Sequence, residues 1–389
     1  MFRVPGNIAG RTPSFAEAFG WPLLLFALLM PSCGTRATQA ESAPTPRTSA
    51  TLAIKAASGP APQSLSAAIP TLTTQQWLHP YTLDGLRERQ FKTIRLEGME
   101  ETSKTGIFTR YAISYRSDGL LITGTMQIPA QGEPPFPVIV MNHGYFNRAE
   151  YHPGDGTDRA AEYLNRHGYL TLSSDYRSWG GSETGPSLYY SGLAIDVVNL
   201  VMAADSIPQA DAARIGLWGH SMGGGVTMKV LMLDPPVKAA VLYSTVSADD
   251  YDILERWGLG CIGDIDAGEN QLGCNSSDVV PLDLPPELIK AYYESSLDAT
   301  ALESTSPIYS LVHVSVPIQI HYGTKDGKTM AGTPPEWSRK LLEALEAAGK
   351  PAEIFAYEDQ GHSFVGDSWV AFMERSAHFF DEYVKAAGQ

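Results

Sequence analysis

The chain has 389 residues, of which 43% are apolar and 10% aromatic, and its formal net charge is −15. These values are typical of a soluble globular protein with a substantial core. The negative charge argues against binding to nucleic acid, whose phosphates it would repel, and against electrostatic docking on anionic lipid.

The first 33 residues have the pattern of an export signal. Two arginines precede an apolar run of ten residues at 21–30, which is too short to span a bilayer but fits the core of a signal peptide. The residues MPSC that end at Cys33 resemble a bacterial lipobox, so Cys33 is the candidate site for lipidation and membrane attachment. We therefore expect residues 1–33 to be a signal peptide, of either the ordinary or the lipoprotein type. The protein would then be exported to the bacterial periplasm or cell surface.

Residues 34–75 are rich in Ala, Ser, Thr and Pro and show little apolar periodicity. Such a segment cannot bury enough apolar surface to offset its ordering entropy, so a disordered linker is predicted. Residues 76–389 are expected to form one folded domain. Within it, Cys261 and Cys274 are predicted to form a disulfide, because a cysteine pair in an exported protein is most simply oxidised.

From about residue 90 the pattern is one of strands and then of strands alternating with helices. The predicted strands, in chain order, are KTIRLEGME, FTRYAISYRS, LLITGTMQIP, FPVIVMNHG, YLTLSSDYR, RIGLWGHS, VKAAVLYST, VPIQIHYGT and AEIFAYED. The predicted helices are DRAAEYLNRHG, SGLAIDVVNLVMAADSI, MGGGVTMKVLML, EWSRKLLEALEAAG and WVAFMERSAHFFDEYV. The first strands are expected to be antiparallel, and the later alternation predicts an α/β fold with a mostly parallel sheet and helices on both faces.

One stretch interrupts this alternation. Residues 246–315 lie between two predicted core strands and contain several helix-like pieces and both late cysteines. An insertion of that length is usually a lid or a binding element. We expect a lid here, and an excursion on the surface without function is the alternative.

The segment RIGLWGHSMGGG contains the motif G-x-S-x-G, with Gly219 and Gly223 on either side of Ser221. The motif lies between a strand pattern and a helix pattern, as a nucleophile elbow requires. Such a turn exposes the serine hydroxyl, and the helix behind it places a partial positive charge where an oxyanion would form. Ser221 is therefore the predicted nucleophile.

A serine hydroxyl becomes a good nucleophile only when a base removes its proton. In this architecture the acid and then the histidine follow the serine along the chain. Asp326 follows the strand VPIQIHYGT, and His362 lies between the last strand and the last helix. His362 is therefore the predicted general base and acid, and Asp326 is predicted to orient its ring. Asp359 also follows a strand and is the alternative acid.

An oxyanion requires two hydrogen-bond donors. The backbone N–H groups of Met222, just after the nucleophile, and of Tyr145, in the loop after FPVIVMNHG, are the predicted pair. The neighbouring His143 is expected to be a packed structural histidine rather than a second base. Neither a metal site nor a cofactor is predicted, because no His and acidic cluster has metal-ligand spacing and no phosphate-binding glycine motif is complete.

On these residues the chain resembles the α/β-hydrolase superfamily. Within it, the chain is most similar to the catalytic domain of prolyl oligopeptidase-like (S9) serine peptidases and to the dienelactone hydrolase-like esterases. The resemblance covers residues 120–387 and rests on VIVMNHGYFN, SSDYRSWGGSE, RIGLWGHSMGGG, HYGTKD and GHSF. It implies an eight-stranded, mostly parallel sheet, a triad of Ser221, Asp326 and His362, and no metal or organic cofactor. Large S9 peptidases also carry an N-terminal propeller, whereas only a few strands precede the catalytic pattern here.

The expected function is that of an exported serine hydrolase that cleaves ester or amide bonds through an acyl-enzyme, with a small ester or a short peptide as substrate. Two alternatives stay open. One is a carboxylic ester hydrolase restricted to small esters. The other is a non-catalytic surface lipoprotein that binds a ligand on a hydrolase scaffold, since a fold does not determine a function.

Overall fold

The computed structural model describes residues 72–262, 275–281 and 283–386. The predicted signal peptide over 1–33, the lipidation site Cys33 and nearly all of the predicted linker lie outside the described residues. Among the described helices, none is both long and apolar enough to cross a membrane.

Nine strands form the main sheet of the described residues. These strands are β1 (Gly98–Lys104), β2 (Phe108–Ser117), β3 (Leu120–Pro129), β4 (Phe136–Asn142), β5 (Leu170–Ser174), β6 (Ala210–His220), β7 (Ala239–Tyr243), β10 (Ile318–Gly323) and β11 (Ala352–Tyr357). Their order in the sheet is β1-β2-β3-β5-β4-β6-β7-β10-β11. β1, β2, β3 and β5 pair antiparallel in that order, and every pair from β5 to β11 is parallel. The mostly parallel α/β architecture is thus confirmed.

The number and the start of the first strands differ from expectation. The resemblance implied eight strands, but β1 adds a ninth at the antiparallel edge. The strand predicted over 92–100 begins only at Gly98. The residues before it pack onto the core outside the sheet, with Ile94 and Leu96 against buried side chains and the Leu96 N–H donating to Ser206 Oγ at 3.2 Å.

Helices cover both faces of this sheet, as the alternation of the pattern predicts. The α-helices of the described residues are α1 (Thr74–Leu78), α2 (Leu83–Arg87), α3 (Asp158–Arg166), α4 (Ser191–Ala203), α5 (Met222–Leu231), α6 (Asp250–Trp257), α7 (Pro286–Ser295), α8 (Ala299–Thr305), α9 (Pro335–Ala347) and α10 (Gly366–Phe380). Side chains alternate along a strand, so Val138 and Val140 of β4 join the core that contains α4, α5 and α9. Ile139 and Met141 join the core that contains α3 and α10.

The insertion at 246–315 contains α6, α7 and α8 and a separate strand pair, β8 (Gly260–Ile262) and β9 (Asn275–Val280). A third buried cluster joins it to α1 and to the segment before α4, through Leu78, Leu188, Tyr189, Val280 and Tyr292. Cys261 lies in β8, but Cys274 lies outside the described residues, so the disulfide stays a prediction.

Candidate active site

The turn between β6 and α5 places Ser221 in a strained backbone conformation. Its φ is 56° and its ψ is −122°, which is unusual for a residue other than glycine. A Cβ atom on Gly219 would lie 2.4 Å from Gly223 O, and one on Gly223 would lie 2.0 Å from Asn142 O. The glycines of the motif therefore let β6, α5 and the end of β4 approach one another closely around the serine.

Three of the predicted side chains meet at the carboxyl ends of the parallel strands. His362 Nε2 lies 2.8 Å from Ser221 Oγ, and His362 Nδ1 lies 3.0 Å from Asp326 Oδ2. Asp326 follows β10 and His362 follows β11, so neighbouring strands deliver both groups to the same edge. Because Asp326 accepts from the Nδ1–H, the Nε2 lone pair is left to accept the Ser221 hydroxyl proton.

Asp326 is held in its ionised form. Burial alone would raise its pKa, but hydrogen bonds donated by His362, by the Thr333 hydroxyl and by the Gly327 N–H lower that pKa below its usual value. Asp359, the alternative acid, instead pairs with Lys325 at 2.5 Å, and its side chain is 66% exposed. The geometry therefore selects Asp326 as the carboxylate that faces His362.

Two residues that contact Asp326 and His362 were not predicted from the sequence. Thr333 donates its N–H to Asp326 Oδ1 at 2.9 Å, and its Oγ1 lies 2.8 Å from Asp326 Oδ2. His220 stacks on Tyr243 with ring centroids 4.4 Å apart, and its Nε2 lies 3.1 Å from His362 O. Burial lowers the pKa of His220 to about 3, so the neutral ring donates its Nε2–H to that carbonyl. In the sequence, only the position of His220 inside the G-x-S-x-G motif could have indicated that this residue lies beside His362.

The two predicted oxyanion donors lie beside the serine. Met222 is the first residue of α5, and Met222 and Tyr145 both line the cavity next to Ser221. A Cβ atom on Gly144 would lie 3.1 Å from Ser221 Cβ, so the loop that carries Tyr145 runs close to Ser221.

His143 is packed and neutral, as expected. Its ring lies 4.7 Å from that of Tyr151 and 4.3 Å from that of Tyr176, and burial lowers its pKa to about 4. Its Nδ1 lies 2.7 Å from Gly144 O, which ties the ring to the loop beside Ser221.

A cavity of about 490 Å³ opens beside Ser221. The loop after β4 lines it with Tyr145 and Phe146, and the insertion lines it with Val246, Trp257 and Ser277. Within residues 72–262, 275–281 and 283–386, no group of three or more His, Cys, Asp or Glu side chains is placed to hold a metal ion.

Two family models match the chain. The model described as serine aminopeptidase, S33, matches residues 133–262, and that of the dienelactone hydrolase family matches residues 291–388. Esterase FrsA of Yersinia enterocolitica is 26% identical over 192 residues, which is 46% of this chain and 44% of the relative. The chain spans less than half the length of the curated relatives it matches.

Solved structures with the same fold include esterases and peptidases. An acetyl xylan esterase from Paenibacillus sp. R4 aligns with a TM-score of 0.53 at 17% identity, over 80% of this chain and 100% of that one. Dipeptidyl peptidase 4 of Porphyromonas gingivalis aligns with a TM-score of 0.51 at 19% identity, over 71% of this chain and 36% of that one. At such identities the likeness shows the fold. Together with the strand order and both family models, it shows that the chain has an α/β-hydrolase fold.

Proposed function

We propose that the protein is a serine hydrolase that cleaves ester or amide bonds through an acyl-enzyme. The observation that carries this proposal is the position of the His362 ring between the Ser221 hydroxyl, at 2.8 Å, and the Asp326 carboxylate, at 3.0 Å. A base within hydrogen-bond reach of a hydroxyl, with its other nitrogen oriented by a carboxylate, is the arrangement that activates a serine nucleophile. Hydrolase families supply both matching models, which supports the same reading.

In the first half of the reaction, Ser221 Oγ attacks the substrate carbonyl carbon while its proton passes to His362 Nε2. The carbonyl π electrons move onto oxygen, and the backbone N–H groups of Met222 and Tyr145 stabilise this oxyanion. When the oxyanion collapses, the bond to the leaving group breaks and the imidazolium returns the proton to the leaving oxygen or nitrogen. Asp326 remains ionised and stabilises the imidazolium.

In the second half, a water molecule takes the place of the leaving group. His362 accepts a proton from this water, whose oxygen attacks the acyl-serine carbonyl carbon. Collapse of the second oxyanion breaks the bond to Ser221 Oγ, which regains its proton and releases the carboxylic acid.

The test is the substitution Ser221→Ala, measured with p-nitrophenyl acetate and with a fluorophosphonate label. Since triad members act as a unit, we expect kcat/KM to fall on the order of 10⁴-fold or more and the label to be lost. Ser304→Ala is the control, because Ser304 is exposed on α8 and its hydroxyl only donates to Ala301 O at 2.6 Å. Failure of the fluorophosphonate to label Ser221 in the folded wild-type protein would contradict the proposal and would favour a binding protein on a hydrolase scaffold.

We also propose, on the pattern of residues 1–33 alone, that the protein is exported. Cell fractionation and mass spectrometry of the mature N-terminus test this. A protein that stays in the cytoplasm with residue 1 intact would contradict it, and a lipid on Cys33 would show the lipoprotein type.

A further inference from the structure

The cavity beside Ser221 has a mainly apolar wall. Apart from its histidines, the described side chains that line it are uncharged, and they include Tyr145, Phe146, Val246 and Met330. An ionic group on a substrate would lose its hydration here without a counter-charge from these side chains, which is costly. An uncharged, apolar group gains from the same transfer out of water.

Trp257 forms a fixed part of this wall. Its indole N–H donates to Met330 O at 2.6 Å, and its ring packs edge-on against Trp337 with centroids 5.3 Å apart. Because the single polar group of the indole is already satisfied by Met330 O, the rest of the ring offers only apolar surface to the cavity.

The same part of the insertion is fixed to the loop that follows Asp326. The Arg256 guanidinium donates to Thr329 O at 2.6 Å and to Gly327 O at 3.1 Å. Gly327 in turn donates its N–H to Asp326 Oδ1 at 2.7 Å. The position of Trp257 is therefore set by the loop that holds the Asp326 carboxylate.

We propose that the substrate carries an uncharged, apolar acyl group larger than acetyl, and that Trp257 determines which acyl groups are accepted. This refinement rests on the proposed function. The cavity volume of about 490 Å³ lies within the range of sites that enclose small organic ligands, and an acetyl group would leave most of it unfilled. An aliphatic chain or an aromatic ring would cover the apolar wall and displace its water.

The experiment compares kcat/KM for p-nitrophenyl acetate, butanoate, hexanoate and benzoate. We expect the wild-type protein to prefer the hexanoate or the benzoate over the acetate by at least about tenfold, which is the discrimination that a few methylenes supply in an apolar pocket. In Trp257→Ala the ratio of hexanoate to acetate should fall at least about tenfold. Trp257→Phe keeps a ring but loses the hydrogen bond to Met330, so its ratio should be intermediate.

Trp77→Ala is the matched control, because it removes an indole from α1 and Trp77 is absent from the described cavity lining. Its ratio of hexanoate to acetate should equal that of the wild-type protein.

A second pair of substrates, the p-nitrophenyl esters of alanine and of N-acetylalanine, tests the effect of a charge on the acyl group. The free ammonium should lower kcat/KM at least about tenfold relative to the acetylated ester.

An unchanged ratio in Trp257→Ala, or a preference for the free ammonium, would overturn this refinement while leaving the proposed function intact. Hydrolysis of the acetate ester by Ser221→Ala would instead remove the proposed function itself. Thermal melting of each folded variant by circular dichroism separates a change in specificity from a loss of structure.

Discussion

Asp326 depends on donors other than His362 for its position. Its Oδ1 accepts from the Gly327 N–H at 2.7 Å and from the Thr333 N–H at 2.9 Å, and its Oδ2 lies 2.8 Å from the Thr333 hydroxyl. A carboxylate whose side chain is 1% exposed is costly to ionise unless such donors surround it. We therefore expect Thr333 to be a positioning residue, which acts on His362 through Asp326.

Replacing Thr333 by Val removes the hydroxyl donor at nearly constant shape. The pKa of Asp326 should then rise, so that its proton is retained to higher pH and the imidazolium loses its partner there. We expect kcat/KM to fall about tenfold, on the order of one lost charge-assisted hydrogen bond, with the acidic limb of its pH profile moved to higher pH. Thr333→Ser should restore both kcat/KM and the position of the acidic limb. An equal loss at every pH, without rescue by serine, would show that Thr333 acts only through packing.

The sequence could indicate Asp326 and not Thr333. Asp326 follows an apolar strand at a position that chain order makes significant. Thr333 approaches the carboxylate because the loop from Gly327 onward folds back, with Gly332 N–H donating to Thr329 O at 3.1 Å. A loop of that kind carries no periodicity, so its contacts could not be derived from the pattern.

At the level of elements, the junction of β6 and α5 determines the position of Ser221, the proposed nucleophile. The Ser221 carbonyl accepts from Gly224 N–H at 2.9 Å and from Val246 N–H at 3.1 Å, so the strained residue is fixed from two directions. The space for this turn exists only because Gly219 and Gly223 lack side chains.

Gly219→Ala tests that requirement. The added methyl would lie 2.4 Å from both Gly223 O and Thr227 Oγ1, so β6 and α5 must separate and move Ser221 away from His362. A displacement of this kind should lower kcat/KM on the order of 100-fold and also lower the melting temperature. Gly106→Ala is the control, because nothing lies within 4 Å of its added methyl. Full activity in Gly219→Ala would show that the junction tolerates the methyl and that glycine is not needed there.

The elements of the sheet were predictable to different degrees. Buried strands such as β4 and β7 are continuous apolar runs, and the structure places them where that pattern does. The edge strand β1 is mostly exposed, so its sequence has no apolar periodicity to define its start. The residues before it pack against the core without pairing, which an alternating pattern alone cannot distinguish from a strand.

For the whole molecule, the insertion is attached to the core through buried charges as well as apolar packing. Lys229 of α5 lies 3.7 Å from Asp250 of α6, and both are buried. Asp278 of β9 accepts from the N–H groups of Tyr189 and Tyr190 at 3.0 and 3.2 Å. The interrupted strand and helix pattern predicted that an insertion exists. Its attachment could not be predicted, because Lys229 stands in a helix that is otherwise apolar and its acidic partners lie far along the chain.

This attachment should make stability depend on pH. Burial raises the pKa of Asp250 and lowers that of Lys229. For Asp278, burial raises the pKa from 3.8 to about 6, although hydrogen bonds from donors that include the Tyr292 hydroxyl act in the opposite direction. Between pH 3.8 and about pH 6, the folded protein therefore binds a proton at Asp278 and the unfolded chain does not. The free energy of unfolding should therefore rise as the pH falls from about 7 to about 5.

Asp278→Asn removes this titration and keeps one oxygen acceptor, so one of the two backbone N–H groups, which bond to different oxygens of Asp278, loses its acceptor at both pH values. The free energy of unfolding is measured with urea at pH 7 and at pH 5. On going to pH 5, it should rise by about 1 kcal/mol more in the wild-type protein than in the variant, since one pKa unit corresponds to about 1.4 kcal/mol. Asp283→Asn is the control, because Asp283 is exposed and should leave the wild-type pH dependence unchanged. The same pH dependence in wild type and Asp278→Asn would mean that Asp278 titrates alike in the folded and unfolded chains. The insertion would then be held by its apolar contacts and its remaining polar groups, with Asp278 contributing no pH sensitivity.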